Sequence, residues 1–497
     1  MSDGKAQTSW AAARGVMPGW NGEALAAAFA SRRHQAWTLA YASLDQATVR
    51  GSASWTGHLP DGLRGTLFRN GPARHERGGK RYAHRWDGDG MVQRFTLSQN
   101  GVSHLGRYVE THKHFTEEVS GQMLFSGFGT PVDLSPPTPE RIEASNPANI
   151  SIICFSGEYL ALWEAGRPYV IDPATLATLG TASWLPTDAM RPFSAHPKIS
   201  GDGRLWNFGV DPLNNVLRVY SVDPSGVLES DWQLLVDQIS PIHDFAVTDR
   251  HLVFLLPSII CNRDRLAAGA SFAESCQWAP EIGMRVLVVD QADGTVMNSR
   301  LPAGCVFHVA NAWEDRDTIW IDYMRSADPS SLLAGWSVMA GEYRHRRGAA
   351  LTRARVDMSD ASASQELLFN HDAEFPAIRC ADTGRKYTQL ICVERSLDRS
   401  AAVPGYDQLA LLDPTSRTRQ VYSFGSDWLV EEHVLVEGND PTHTGWAIGT
   451  ALDAAAGQTV VSVFDLDRFE RGPAAQARLP YALPLGLHGT FVRFMFE

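Results

Sequence analysis

Four of the sixteen histidines in this 497-residue chain open hydrophobic runs: His196 in Ser-Ala-His-Pro, His243 in Ile-His-Asp-Phe-Ala-Val, His308 in Phe-His-Val-Ala-Asn-Ala-Trp and His488 in Leu-His-Gly-Thr-Phe-Val. Four neutral imidazoles without a thiolate suit Fe, Cu, Zn or Ni, and an iron with open positions is one such chemistry. Taken singly, each reads as a hydrogen-bonded core histidine, so the constellation carries the argument. A metal-bound histidine needs an acceptor on its second ring nitrogen. Glu164 in LALWEAG, Glu374 in HDAEFPAI and Glu432 in WLVEEHVLV stand in apolar stretches, where a carboxylate is uncommon unless paired. The alternative for each acid is an exposed turn or edge position. His433 follows Glu432 and falls on the other face of a strand. His34, His75, His112, His114, His345 and His443 have polar neighbours and read as surface residues.

The histidine spacings are 47, 65 and 180 residues. From Val49 onward, short β runs alternate with Gly, Asp, Asn and Pro turns, from GTLFRN, MVQRFTL and YLALWE to TVVSVFDLD and HGTFVRFMF. A hairpin idiom recurs in VIDPATLATLG, SVDPSGVLES, VVDQADGTVM, LLDPTSRTRQ and FDLDRFERGP. Strand-turn-strand units without helical punctuation predict an all-β propeller, with an array of two-sheet sandwiches as the alternative. At roughly 65 residues per blade, about seven blades use the length, and the spacings become one, one and three blades. Such a ring could bring all four histidines to one axis. No linker composition divides the chain, so residues 1–497 read as one propeller domain. Its 1–45 extension is partly helical at Gly22–Ser31, GEALAAAFAS, ending at Arg-Arg-His.

Composition excludes several classes. The chain carries 44 basic and 56 acidic residues, net -12, without a long run of one sign, which disfavours a nucleic-acid partner. Hydrophobic residues make up 44% and charged residues 20%, enough for a sizeable core and against disorder. Six scattered cysteines, none spaced as CxxC, fit free thiols in a reducing compartment. The N-terminus lacks an uninterrupted apolar stretch, and the strongest apolar run, Leu252 to Cys261, is far below a membrane span. The expectation is a cytoplasmic protein, peripheral to a membrane at most. Ser331–Gly341, SLLAGWSVMAG, reads first as a buried loop and second as a weak membrane contact at a tunnel mouth.

Gly65-Thr-Leu-Phe-Arg-Asn-Gly-Pro72 and Asp87-Gly-Asp-Gly-Met91 resemble the carotenoid cleavage oxygenases, which include apocarotenoid-, stilbene- and isoeugenol-cleaving enzymes and the retinoid isomerohydrolase. The resemblance continues through LALWEAGRPY, SAHPK, HDFAVT, FHVANAWED, EFPAI with GRKY, and LHGTF, in the family's order. It implies a seven-bladed propeller, with a cap of loops and short helices over an axial Fe(II), one per chain, held by His196, His243, His308 and His488. It also implies that Glu164, Glu374 and Glu432 hydrogen-bond to His243, His308 and His488 respectively. The implied reaction inserts both atoms of O2 across a conjugated C=C bond of a lipophilic substrate, giving two carbonyl products, with no residue beyond the iron centre needed as general base.

Stilbene- and isoeugenol-type members resemble one another in a Lys before the first of these acids and a Tyr in the preceding loop, which bind a phenol oxygen. Trp163 and Phe128 stand there in this chain, so the resemblance points to an apocarotenoid, with cleavage at the central 15,15′ bond to retinal-type aldehydes. Anchoring of the substrate by some other group is the alternative at these positions. The alternative function is a phenylpropanoid-alkene oxygenase of the lignostilbene or isoeugenol type. An isomerohydrolase would instead release an alcohol without consuming O2, and a non-catalytic propeller would leave the histidines apart. Asn149-Ile150-Ser151 replaces the Asn-Thr-Asn segment often seen near the iron, so Ile150 is expected to shield one open position. The segment EEHVLVEGND, followed by PTHTGW, departs from the family's pattern around Glu432.

Overall fold

The computed structural model describes residues 20–494 except 134, 136–137, 187–190 and 439–442. Most of the N-terminal stretch before Gly22 and part of the PTHTGW departure therefore lie outside the described residues. Seven sheets of four or five antiparallel strands form the blades of a propeller, which replaces the sandwich alternative. Five blades are sequential meanders, opening with the strands Ser151–Phe155, Lys198–Ile199, Phe245–Val247, Cys305–Asp315 and Ala373–Ala377. The sixth opens with Trp428–Glu437 and borrows the N-terminal strand Trp55–Gly57, which pairs with Ala475–Arg478. In the seventh, His488–Arg493 pairs with Gly65–Arg74 in a register that sets His488 opposite Asn70. Closure thus joins strands from the N-terminal and C-terminal parts of the chain, and the outer strand of a blade, such as Leu228–Leu235, is paired on one side.

Central strands such as Val460 to Phe464 are buried on both faces because each blade lies between two neighbours, hence their continuous Val, Leu and Ile content. The hairpin idiom has a backbone cause. Asp172 Oδ1 accepts the N–H groups of Ala174 and Thr175 at 3.1 and 2.7 Å, and Asp413 Oδ1 accepts those of Thr415 and Ser416 at 2.7 and 3.1 Å. The fourth residue after the Asp then turns left-handed, at Leu176 with φ 57° and Arg417 with φ 59°. FDLDRFERGP departs from this idiom, forming a 3-10 turn over Leu466–Arg471 instead.

The helix Gly22–Ser31 forms as expected, capped by Asn21 Oδ1 on the Ala24 N–H at 3.0 Å, with Phe29 fully buried. This helix, the short helices Arg263–Ala267 and Phe272–Ser275, the helix Ser330–Ser337 and the hairpin Ile259–Cys261/Cys276–Trp278 all contribute to the wall of one large cavity. The apolar Ser331–Gly341 segment, read as a buried loop, is instead mostly helical, and it forms a cavity wall: Leu332, Leu333 and Trp336 pack against buried Ile259, Cys276 and Cys305. All six cysteines are free. His75 and His114 are buried, contrary to the surface position their neighbours suggested, because those neighbours are charges paired inside the protein. Among the described residues no helix is long and apolar enough to cross a membrane.

Candidate metal centre

The four histidines come from four blades and meet on the axis. His196 and His243 lie in the segments that lead into the second and third blades, His308 lies on the inner strand of the fourth, and His488 begins the inner strand of the seventh. Their ring nitrogens lie within 4.8 Å of one another. Nε2 of His196 is 2.9 Å from Nε2 of His243, and Nε2 of His308 is 3.2 Å from Nε2 of His488. Among the described residues this group has no acidic or sulfur member.

Each histidine is held by local chemistry. The His196 N–H donates to Ser194 Oγ at 3.1 Å, and Asn207 clamps Ser194 through Oγ at 2.9 Å and the carbonyl at 2.9 Å. Asp244, next to His243, takes the Val309 N–H at 2.9 Å and the Lys198 ammonium at 2.8 Å. One buried carboxylate thereby ties the segments of His196, His243 and His308 together. The His488 N–H donates to the Ile150 carbonyl at 3.2 Å.

The opposite ring nitrogens meet carboxylates. Nδ1 of His243 is 2.8 Å from Glu164, Nδ1 of His308 is 2.7 Å from Glu374, and Nδ1 of His488 is 2.8 Å from Glu432. The Nδ1–H of His308 and of His488 donates to its acid and Nδ1 of His243 faces the Glu164 carboxylate, so Nε2 of these three rings presents a lone pair to the axis. Two such lone pairs 3.2 Å apart, at His308 and His488, repel unless a cation lies between them. The donor set is four imidazole nitrogens, which fits a divalent transition ion. Burial, then the three neighbouring histidines, holds His196 well below the ordinary range, and burial with His488 and His243 does the same to His308. For His243, burial is outweighed by the Glu164 carboxylate, which moves its pKa up. Burial pushes Glu374 up to about 8, whereas for Glu432 burial is overcome by His488 and Arg69, which hold it down.

Bulges aim these side chains. The ladder shifts register around Val309 beside His308, after Glu374, and between Val430 and His433. At the last of these, the adjacent Glu431 and Glu432 are both buried. Glu431 accepts from the Thr450 hydroxyl and the Gly486 N–H. After Glu374, Phe375 is left-handed with φ 55°, a strain of about 1–3 kcal/mol, and its ring lies 5.1 Å from His308 and 5.3 Å from His488. Arg69, 1% exposed, donates to the carbonyls of Glu432 and Leu487 at 2.8 and 3.0 Å. Sequence reasoning passed over Arg69, Lys198, Asp244, Phe375 and Glu431. The Pro-Lys and His-Asp neighbours of His196 and His243 were the available signal for Lys198 and Asp244. His433 points away, its Nδ1 2.9 Å from the Glu431 carbonyl.

A cavity of about 1210 Å³ opens onto His243, His308 and His488, and Phe128, Ile150 and Trp163 all line it. The Trp86 ring lies 5.1 Å from Phe128 and 5.5 Å from Phe307, which in turn lies 5.2 Å from His243. The wall near the centre is therefore aromatic and shaped for a flat, extended molecule. A second cluster, His443 with Asp465 and Asp467, is a hydrogen-bonded group rather than a cation site. His443 Nδ1 accepts the Gly445 N–H at 3.0 Å, so Nε2 carries the proton it offers to Asp465 at 3.2 Å.

The family model described as retinal pigment epithelial membrane protein matches residues 42–493. The chain is 26% identical over 474 residues to the apocarotenoid-15,15′-oxygenase of Synechocystis sp., covering 92% of this chain and 96% of that one. It is 26% identical over 460 residues to the isoeugenol monooxygenase of Pseudomonas nitroreducens, covering 88% and 93%. It is 25% identical over 469 residues to the carotenoid 9,10(9′,10′)-cleavage dioxygenase 1 of Arabidopsis thaliana, covering 88% and 85%. Among solved structures, cobalt-substituted Synechocystis ACO, an apocarotenoid oxygenase, is similar with a TM-score of 0.81 at 25% identity, over 93% of this chain and 99% of that one.

Proposed function

This chain belongs to the retinal pigment epithelial membrane protein family and is a dioxygenase of the carotenoid-cleaving kind, and from that premise we propose that it uses one Fe(II) per chain, held by His196, His243, His308 and His488, to cleave an apocarotenoid. The observation that carries this reading is the convergence of four imidazole nitrogens on one point, with Nδ1 of three rings facing carboxylates. Fe(II), when bound, supplies the activation of O2 that no side chain here can perform. In the overall reaction one conjugated C=C bond breaks and two C=O bonds form, each carbonyl taking one oxygen atom of O2, so no proton has to be moved by the protein.

The chain's own residues then do three things. Glu164, Glu374 and Glu432 fix the tautomers and raise the basicity of three imidazoles. Trp86, Phe307 and Trp163 hold a flat polyene against an apolar wall and keep water from it. Ile150, tied to His488 through its carbonyl, covers one approach to the centre. How deep the polyene enters selects the bond, and the central 15,15′ bond is the first to test. The equal identity to the isoeugenol enzyme favours a phenylpropanoid alkene as the second reading.

The test is anaerobic reconstitution with Fe(II), metal quantification, and then ¹⁸O2 with an apocarotenal or a 4-hydroxystilbene. One iron per chain and two labelled carbonyl products from the apocarotenal alone are expected. Cleavage of the stilbene alone would replace the substrate reading, and no bound iron would overturn the metal reading.

A further inference from the structure

The arginines inside this protein are partnered. Arg69 holds two carbonyls, Arg81 donates to Met339 O at 2.8 Å, and Arg353 forks onto Asp322 with both contacts at 2.7 Å. Arg395 holds the carbonyls of Val403 and Gly405 at 2.9 Å each, and Arg399 that of Pro404 at 2.8 Å. Arg85 breaks this pattern. It is half-buried and lines the cavity, yet among the described residues no carboxylate forms an ion pair with it and no carbonyl accepts from it. Its polar neighbour is the hydroxyl of buried Tyr41, which also lines the cavity.

The backbone beneath Arg85 is rigid. His84 Nδ1 accepts the Trp86 N–H at 3.2 Å, Asp87 takes the His84 N–H at 3.2 Å, and the Gly129 N–H donates to Asp87 at 3.1 Å. The Arg85 guanidinium lies 5.6 Å from the Trp86 ring centroid, and Trp86 reaches His243 through Phe307 alone. An uncompensated cation is thus held on an aromatic wall two rings from the proposed iron site. A guanidinium kept away from a counter-ion beside apolar surface is costly, and a planar carboxylate meets its fork with two charge-assisted hydrogen bonds. Burial pushes the Tyr41 hydroxyl up against the opposing influence of Arg85, so it keeps its proton and can donate as well.

We propose that Arg85, with the Tyr41 hydroxyl, anchors a carboxylate at one end of the substrate, so that this enzyme acts on conjugated-alkene acids. The proposal rests on the reading that the cavity takes a conjugated alkene, and it names which member of that class. It also explains how a chain with Phe128 and Trp163 in place of a polar pair orients its substrate: the polar contact has moved to the turn before Asp87.

The test compares an apocarotenoic acid with its methyl ester, and 4-carboxystilbene with its methyl ester, in wild type, Arg85→Leu and Arg85→Lys. Binding to the iron-free protein is read from quenching of tryptophan fluorescence, and KM and kcat from the iron-loaded enzyme. In wild type the acid should bind about 10- to 100-fold more tightly than its ester in at least one series. That ratio should collapse towards one in Arg85→Leu and partly survive in Arg85→Lys, chiefly in Kd and KM. Because the readout is a ratio within each protein, a general loss of folded material cancels. Acid preference confined to the stilbene pair would support the anchor and overturn the apocarotenoid reading. Equal binding of acid and ester in both series, or an undiminished ratio in Arg85→Leu, would overturn the anchor whatever the enzyme cleaves.

Discussion

Beside the helix His112–Ser120, Lys113 donates to Asp89 at 2.6 Å, to Glu117 at 3.0 Å and to Tyr82 at 2.7 Å, and Arg77 meets Asp89 at 2.5 Å. The remaining Glu117 oxygen takes the N–H groups of Leu124 and Phe125 at 2.8 and 3.1 Å. Lys113, Asp89 and Glu117 are at most 1% exposed, and each finds its opposite charge within the chain. Burial works against ionised Asp89, yet Lys113, His114 and Arg77 hold its pKa far below the usual carboxylate range. On the propeller axis three imidazoles face three carboxylates on the outer side, while on the inner side the nitrogens of four imidazoles face one another. Of two buried polar clusters, one is finished by its own residues and serves stability. In the other, among the described residues, no acidic or sulfur group faces the four converging imidazole nitrogens, which is the arrangement a cation site requires.

The comparison breaks most sharply under substitution at each cluster. His308→Ala should lower iron content from one per chain to less than about a tenth and cleavage by at least about 10³-fold, read by elemental analysis and product formation. Retained stoichiometric iron would show that the axis is not the metal site. Asp89→Asn should do the converse, leaving Lys113 and Arg77 short of a counter-charge and costing about 3–5 kcal/mol in urea unfolding, with iron per folded chain unchanged. A cost below about 1 kcal/mol would mean that water already screens this network.

A smaller effect sharpens the role of the acids. Glu432→Gln keeps an acceptor for the His488 Nδ1–H but removes the charge, and it should weaken metal affinity by about 10- to 100-fold in competition with a chelator. Unchanged affinity would reduce Glu432 to a spacer between Arg69 and the Gly489 N–H, which it accepts at 2.9 Å.

The four histidines could be picked out because each opens a hydrophobic run at a multiple of the blade length, and a ring converts such spacing into proximity. Glu164, Glu374 and Glu432 stood out as lone acids in apolar surroundings. The YLALWE run is strand only as far as Leu162, and Glu164 reaches His243 from the turn beyond it, two blades away. Local reasoning failed where the partner is remote or the ladder irregular. Arg69 and Glu432 are 363 residues apart, and Lys198, Asp244 and Val309 come from three blades, so the contacts that join them cannot be read from a local pattern. The register shift between Val430 and His433, around Glu431 and Glu432, has no signature in an alternating pattern. His75 and His114 were misjudged for the opposite reason: polar neighbours usually mean solvent, but here they are a charge network folded inward.

His75 provides the smallest and most specific contrast, because it borders the self-completed network and still depends on pH. It is 1% exposed, and burial, reinforced by Arg81, brings its pKa down to about 3. The unfolded chain binds a proton at this side chain below about 6.5, whereas the folded chain does not until about 3. Stability tied to His75 is therefore fully present above pH 6.5 and is lost progressively as the pH falls from 6.5 towards 3, by about 1.4 kcal/mol at pH 5.5. Urea unfolding of the iron-loaded enzyme at pH 7.5 and 5.5 should show His75→Gln losing about 1.4 kcal/mol less than wild type over that interval. Equal losses in the two proteins would mean that His75 already holds a proton in the folded state, and that the network's negative charge reaches further than its ion pairs.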